Sequence, residues 1–484
     1  MTARRDALPP GPSGLPVVGR QREFLRDPLG FLTRAHHEHG DLVTLPLNGG
    51  RVVAAFGAGL VEAVNGVQGA EVEITGAGGI DLRRADRVQG RGPLNSTGTE
   101  HALYRRVSHR ALGRESMAAY AAISVEETER LLARWSPGTP VDLVPEATAL
   151  TRRIFKIYMF GSDPADTAPE VDAAVDLFND VLESLPRRLA TTLIPIEIPG
   201  LAERRRLARA GAVIDAHIST LIDRPGGSPG GGRAARPRHY SLAQAMLREL
   251  DTAGLPQDPT LVRDLMLQLH FAGLTSVASS IVWALLLLAL NPEPARRMLD
   301  ELERVPGGRV PTPDDARALP YVEAVLNESI RLYPAAAWEF KRIVDPLELG
   351  GYRLGAGTSL LLAPWVTQRS ARSFDDPLSF RPERFLGDSA SYESGAFLPW
   401  GAGERSCIGK QLARHAFRAV VGGISARYRV DLVADQRIDP HAGYLGTRLL
   451  PRPGVWVVPA VQDGDTARSA ARIQGSCVGA ADAG

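Results

Sequence analysis

From Leu261 to Leu290 the chain carries its longest helical pattern, and this run limits the possible folds more than any other feature. It ends in the strongly apolar stretch Ile281 to Leu290, so the helix is expected to cross a core. That apolar stretch alone is too short to span a bilayer. With 484 residues and a 44% apolar share, the chain can bury a large core around such a helix. Length by itself allows roughly two to four domains.

The pattern along the chain is that of a mostly helical sequence with a minor β part. Residues 9–19 (PPGPSGLPVVG) are incompatible with helix and read as an extended arm laid over the surface. Helical and short strand signals alternate from Pro28 to about Ala70, with Leu42 to Leu45 and Val52 to Ala55 as strand candidates. From Glu100 to Pro334 the patterns are overwhelmingly helical. The Gly/Pro/Arg run Asp223 to Arg238 breaks that stretch and reads as a mobile surface loop, with a domain linker as the other reading. Strand signals return between Leu347 and Ala363 and near Leu449 to Val458. The expectation is a mainly α chain with small β-sheets, a mobile loop at 223–240, and disordered ends at 1–8 and 461–484.

A net charge of +1 gives no global field that would draw nucleic acid or an anionic surface. The proline- and glycine-rich N-terminus has no apolar core segment of a signal peptide. Cys407 and Cys477 are the two cysteines, which suits a reducing cytosol better than a disulfide framework, although the two could pair. His36, His37 and His39 cluster before Gly40. They read either as metal ligands or as last-turn residues favourable to a helix dipole, and no matching second cluster supports the metal.

Chemistry concentrates in the run Phe397 to Gly409, FLPWGAGERSCIG. Cys407 precedes a helical pattern, Lys410 to Val420, and reads as a thiolate held at a helix N-terminus, where amides and positive charge lower a thiol pKa. Gly401, Gly403 and Gly409 let backbone turn tightly and approach a flat ligand, and Arg405 offers a fixed charge to a carboxylate. His101 and Arg105 stand four apart on one helical face, either a solvated basic helix or a clamp for a carboxylate. Glu328 and Arg331 stand three apart on a run that also carries Val325, Leu326, Ile330 and Leu332, so part of that pair is expected to be buried. Gln268 and Phe271 fall on roughly the same face of the long helix as Ala272, Thr275 and Ser276. A polar Gln268 in an apolar setting needs a partner, either a substrate or a neighbouring element.

Taken together, Glu-x-x-Arg at 328–331, Pro-Glu-Arg-Phe at 382–385 and the cysteine loop resemble the cytochromes P-450, in that order. The resemblance implies the P-450 fold, a single domain over residues 9–460, with haem b (iron protoporphyrin IX) between the long helix and the cysteine helix and Cys407 as its metal ligand. It implies that Trp400, Gly401 and Gly409 shape the haem loop. His101, Arg105 and Arg405 would bind haem propionates, with Lys341 or Arg342 as further candidates. Glu328, Arg331 and Arg384 would form a structural triad. Ala336, Ala337, Trp338 and Leu445, with the segment around Leu94, would line the substrate pocket, and Thr191 to Ile196 suggests an apolar entrance.

Ala272-Gly273-Leu274-Thr275-Ser276 resembles that family's oxygen-binding segment, in which glycine removes bulk and permits a local widening of the helix. The family's usual acid is replaced by Thr275 and its threonine by Ser276, so no titratable group stands there. Trp400 replaces the usual phenylalanine, and its N–H needs an acceptor; the thiolate as acceptor would raise the reduction potential. The activity implied is monooxygenation, a hydroxylation or epoxidation, of an apolar small molecule such as a terpenoid or polyketide-like secondary metabolite. Dioxygen is the oxidant, and a ferredoxin with its ferredoxin reductase supplies electrons. A basic face of Arg110, Arg114, Lys410, Arg414 and Arg418 would dock that partner. A soluble bacterial, cytoplasmic protein without a stable membrane anchor is expected. The altered pair also admits a peroxygenase or redox-neutral isomerase, and a third reading is a non-catalytic haem protein that carries a ligand.

Overall fold

The computed structural model describes residues 8–14, 19–47, 50–66, 90–161, 169–191, 201–222, 240–387, 392–442 and 449–462. The long helix spans Pro259–Leu290, 32 residues or about 48 Å. Asp258 caps it by accepting the Thr260 N–H, and Pro259 fills the first turn, where no N–H is required. Pro292 begins the next helix, Pro292–Arg304, so the chain turns at Asn291. By length and apolar composition the long helix resembles a membrane span, yet 67% of its most apolar stretch is buried inside the protein. Helices Leu143–Phe160, Leu201–Ile222, Pro320–Leu332 and Lys410–Arg427 pack around it.

The strands are β1 (Leu42–Leu45), β2 (Val52–Ala55), β3 (Val141–Asp142), β4 (Glu339–Arg342), β5 (Leu347–Leu349), β6 (Tyr352–Leu354), β7 (Ser359–Leu362), β8 (Tyr428–Leu432), β9 (Asp439–His441), β10 (Leu450–Arg452) and β11 (Trp456–Val461). The largest sheet has the order β1-β2-β7-β4, with β2 and β7 parallel and the other pairs antiparallel. Side chains alternate across β2: Val52 and Ala54 join the main core, while Val53 and Ala55 join a second cluster with Leu360 and Leu362. This sheet therefore separates two apolar layers. The proline arm lies along β1, where Thr44 N–H donates to Pro10 O at 2.9 Å and Thr44 Oγ1 to Pro9 O at 2.7 Å.

His36, His37 and His39 occupy the last turn of helix Pro28–His39, closed by Gly40 at φ 92°. His36 Nε2 lies 3.0 Å from Asp41 Oδ1, and among the described residues no group of three or more His, Cys, Asp or Glu could hold a metal ion. The expected loop at 223–240, except for Tyr240, lies outside the described residues, as do Leu445, Cys477, residues 192–196 and most of both termini.

Candidate functional site

The cysteine loop is a tight double turn. Gly401 and Gly403 both adopt φ 64°, a left-handed conformation that suits glycine. Gly401 N–H donates to Leu398 O at 3.1 Å, and Cys407 N–H reaches back to Trp400 O at 2.7 Å. Helix Lys410–Arg427 follows directly, with Gly409 as its N-cap, so Cys407 and Ile408 lie just ahead of its first turn.

The Cys407 side chain is accessible even though protein surrounds it on most sides. Burial pushes its thiol up. The Gly409 backbone N–H and the charges of Arg105 and Lys410 pull the other way without cancelling that effect. The expected net lowering by the helix end is therefore corrected, because desolvation outweighs the nearby dipole and charges.

Three cationic or donor groups gather beside the loop. His101 and Arg105 lie on helix Gly98–Ala111, and Arg105 Nη2 donates to Ser406 Oγ at 3.0 Å. Arg405 Nη1 donates to Pro93 O at 2.9 Å and Nη2 to Ser96 O at 2.7 Å. Burial first, then the charges of Arg405 and Arg105, push His101 down to about 4. Such crowding of like groups beside an accessible thiol fits a ligand with carboxylates at its edge and a thiolate-binding metal at its centre. Of the two further candidates, Lys341 is held by Asn65 Oδ1 at 2.7 Å and Glu339 at 3.4 Å, while Arg342 is half-buried in the same strand.

On the long helix, Ala272 is exposed in the middle of an otherwise buried run. Phe271 and Ser276 flank it, half-buried, and Thr275 is buried. Ser276 Oγ donates to Ala272 O at 2.7 Å and lies 3.2 Å from Gly273 O. The helix is α throughout, so the expected local widening is absent. Gly273 also differs from expectation: a Cβ there would strike the Phe155 ring of helix Leu143–Phe160. Its glycine serves close helix packing. Gln268 is corrected as a substrate group, because its amide is bonded to the segment Gly90 to Asn95.

The expected triad comes together. Glu328 Oε1 accepts from Arg331 Nη2 at 2.8 Å and from Arg384 Nε at 3.0 Å, and Arg381 N–H adds a bond at 2.9 Å. Arg331 also donates to the carbonyls of Gln368, Pro377 and Ser379. Ala336 is half-buried, whereas Ala337 and Trp338 are buried in the core. Trp338 packs edge-on against Phe24 at 5.4 Å, so it is corrected as an open pocket wall. Arg414 and Arg418 both pair with Glu323; Arg418 is buried, which removes it from the expected docking face, while Arg414 is half-buried. Arg110, Arg114 and Lys410 remain exposed.

Asp264 escaped the sequence reading. It stands one turn before Gln268 and accepts the Arg91 N–H at 2.9 Å. Its four-residue spacing from Gln268 was the available signal.

The cytochrome P450 family profile matches residues 9–456. Cyclooctatin synthase of Streptomyces melanosporofaciens is 31% identical, covering 91% of this chain and 95% of the relative. Cyclooctat-9-en-7-ol 5-monooxygenase of the same organism is 30% identical, over 87% of this chain and 88% of the relative. Pentalenene oxygenase of Streptomyces avermitilis is 27% identical over 91% of this chain and 95% of its own length. In fold, the retinoic-acid-bound cyanobacterial CYP120A1 superposes with a TM-score of 0.76 at 20% identity, covering 94% of this chain and all of that one (100%).

The chain belongs to the cytochrome P450 family. It is a mainly α, single-domain monooxygenase of that family, which uses a haem iron, dioxygen and redox partners on small substrates.

Proposed function

We propose that this enzyme hydroxylates or epoxidises an apolar terpenoid of bacterial secondary metabolism. The observation that carries the reading is the accessible Cys407 thiol set deep beside His101, Arg105 and Arg405. The names of the Streptomyces relatives support the substrate class. Cys407 is the metal ligand and the three basic side chains hold the carboxylates of haem b. Bound through a thiolate, that group supplies reductive activation of dioxygen. Ala272 leaves room on the opposite helix face, and Ser276 offers a hydroxyl that must leave its carbonyl partners to pass a proton on. Thr275 carries no titratable group, so that proton comes through water, from substrate or from another residue.

Electrons come from a ferredoxin and its reductase in the cytoplasm, docking at exposed Arg110, Arg114 and Lys410. The second reading, a peroxygenase or isomerase, is favoured by Thr275 in place of an acid. Supplying apolar terpenoids with NADPH and redox partners, and separately with peroxide, decides between them. Product with the electron-transfer partners is expected. Turnover only with peroxide and none with the electron-transfer partners, or turnover without any oxidant, overturns the monooxygenase reading.

A further inference from the structure

Gln268 and Asp264 are both buried, 2% and 4% exposed, and neither faces open space. Gln268 Oε1 accepts the Leu94 N–H at 3.0 Å, while Nε2 donates to Asn95 Oδ1 at 2.8 Å and to Gly90 O at 3.2 Å. Asp264 Oδ2 accepts the Arg91 N–H at 2.9 Å. Asn95 closes the segment on itself, donating to Gly90 O at 2.7 Å and accepting the Gly92 N–H at 3.1 Å. A Cβ on Gly90 would strike the Asp264 carboxyl, and one on Gly92 the Gln268 amide, so the segment lies flush against the long helix.

The same segment holds Arg405. Its Pro93 and Ser96 carbonyls accept from the two terminal guanidinium nitrogens at 2.9 and 2.7 Å. A continuous set of hydrogen bonds thus runs from the long helix, through residues 90–96, to a side chain two positions before Cys407.

We propose that Gln268, assisted by Asp264, is a positioning residue that aims Arg405 at a haem carboxylate. The proposal rests on the assignment of Arg405 to that carboxylate and is independent of the substrate class. An unanchored segment would leave the two carbonyls free to shift, and the guanidinium would follow them.

Haem release from the holoenzyme to apomyoglobin tests this. Gln268→Met keeps the volume and removes the amide, and release is expected to quicken by roughly tenfold. In an Arg405→Ala background the same change is expected to add nothing beyond about twofold, because both act through one group. Should Gln268→Met give no haem protein, Asn95→Ala breaks the same link from the segment side and is read alike. Release at the wild-type rate in Gln268→Met, with Arg405→Ala accelerated, overturns the positioning role. Unchanged release in Arg405→Ala overturns the carboxylate assignment on which it rests.

Discussion

Arg331 grips Glu328 through two hydrogen bonds, Nε to Oε2 at 2.7 Å and Nη2 to Oε1 at 2.8 Å, with both side chains 0% exposed. Removing one charge leaves the other buried without compensation. Glu328→Gln is expected to cost roughly 3–5 kcal/mol of stability, read from urea unfolding. A loss below about 1 kcal/mol would show that the carbonyls of Gln368, Pro377 and Ser379 satisfy Arg331 unaided.

Gly273 fits against Phe155 only because it lacks a Cβ. Gly273→Ala should lower stability by roughly 1–3 kcal/mol through overpacking. Phe155→Leu in the same chain should recover part of that loss, giving a non-additive double-mutant cycle. Purely additive effects would place the strain elsewhere.

Position 275 is buried, so an introduced carboxyl would be held above the usual carboxylate range and remain a proton donor. Thr275→Asp is expected to raise the product formed per NADPH consumed. An unchanged or lower yield would mean that water or substrate already delivers the proton.

His270 is buried against Phe155 and Asn179, and burial, with the charges of Lys156 and Arg152, pushes it down to about 3. The unfolded chain, near 6.5, therefore takes up the proton first. This contribution to stability is complete above pH 6.5 and declines as pH falls toward 3. Unfolding midpoints across that window should fall less steeply in His270→Gln than in the wild type. Parallel curves would remove His270 as a cause.

Much of this was legible from residue order. The strands at Leu42 to Leu45 and Val52 to Ala55, the long helix and the Glu328–Arg331–Arg384 contact follow from local pattern. Side-chain direction did not. Gly273 faces a neighbouring helix, and Gln268 faces a segment more than 170 residues away in sequence, which periodicity alone cannot distinguish from a pocket. The upward shift of the Cys407 thiol is not legible in residue order, because burial is a tertiary property, while the helix end that opposes it is local.

The most direct test of the account is the absorption spectrum of the reduced, carbon-monoxide-bound protein. The wild type and Cys477→Ser should both show the red-shifted band of a thiolate-ligated haem, and Cys407→Ser should lose it. A Cys407→Ser protein that keeps that band would contradict the assignment of Cys407 as the metal ligand.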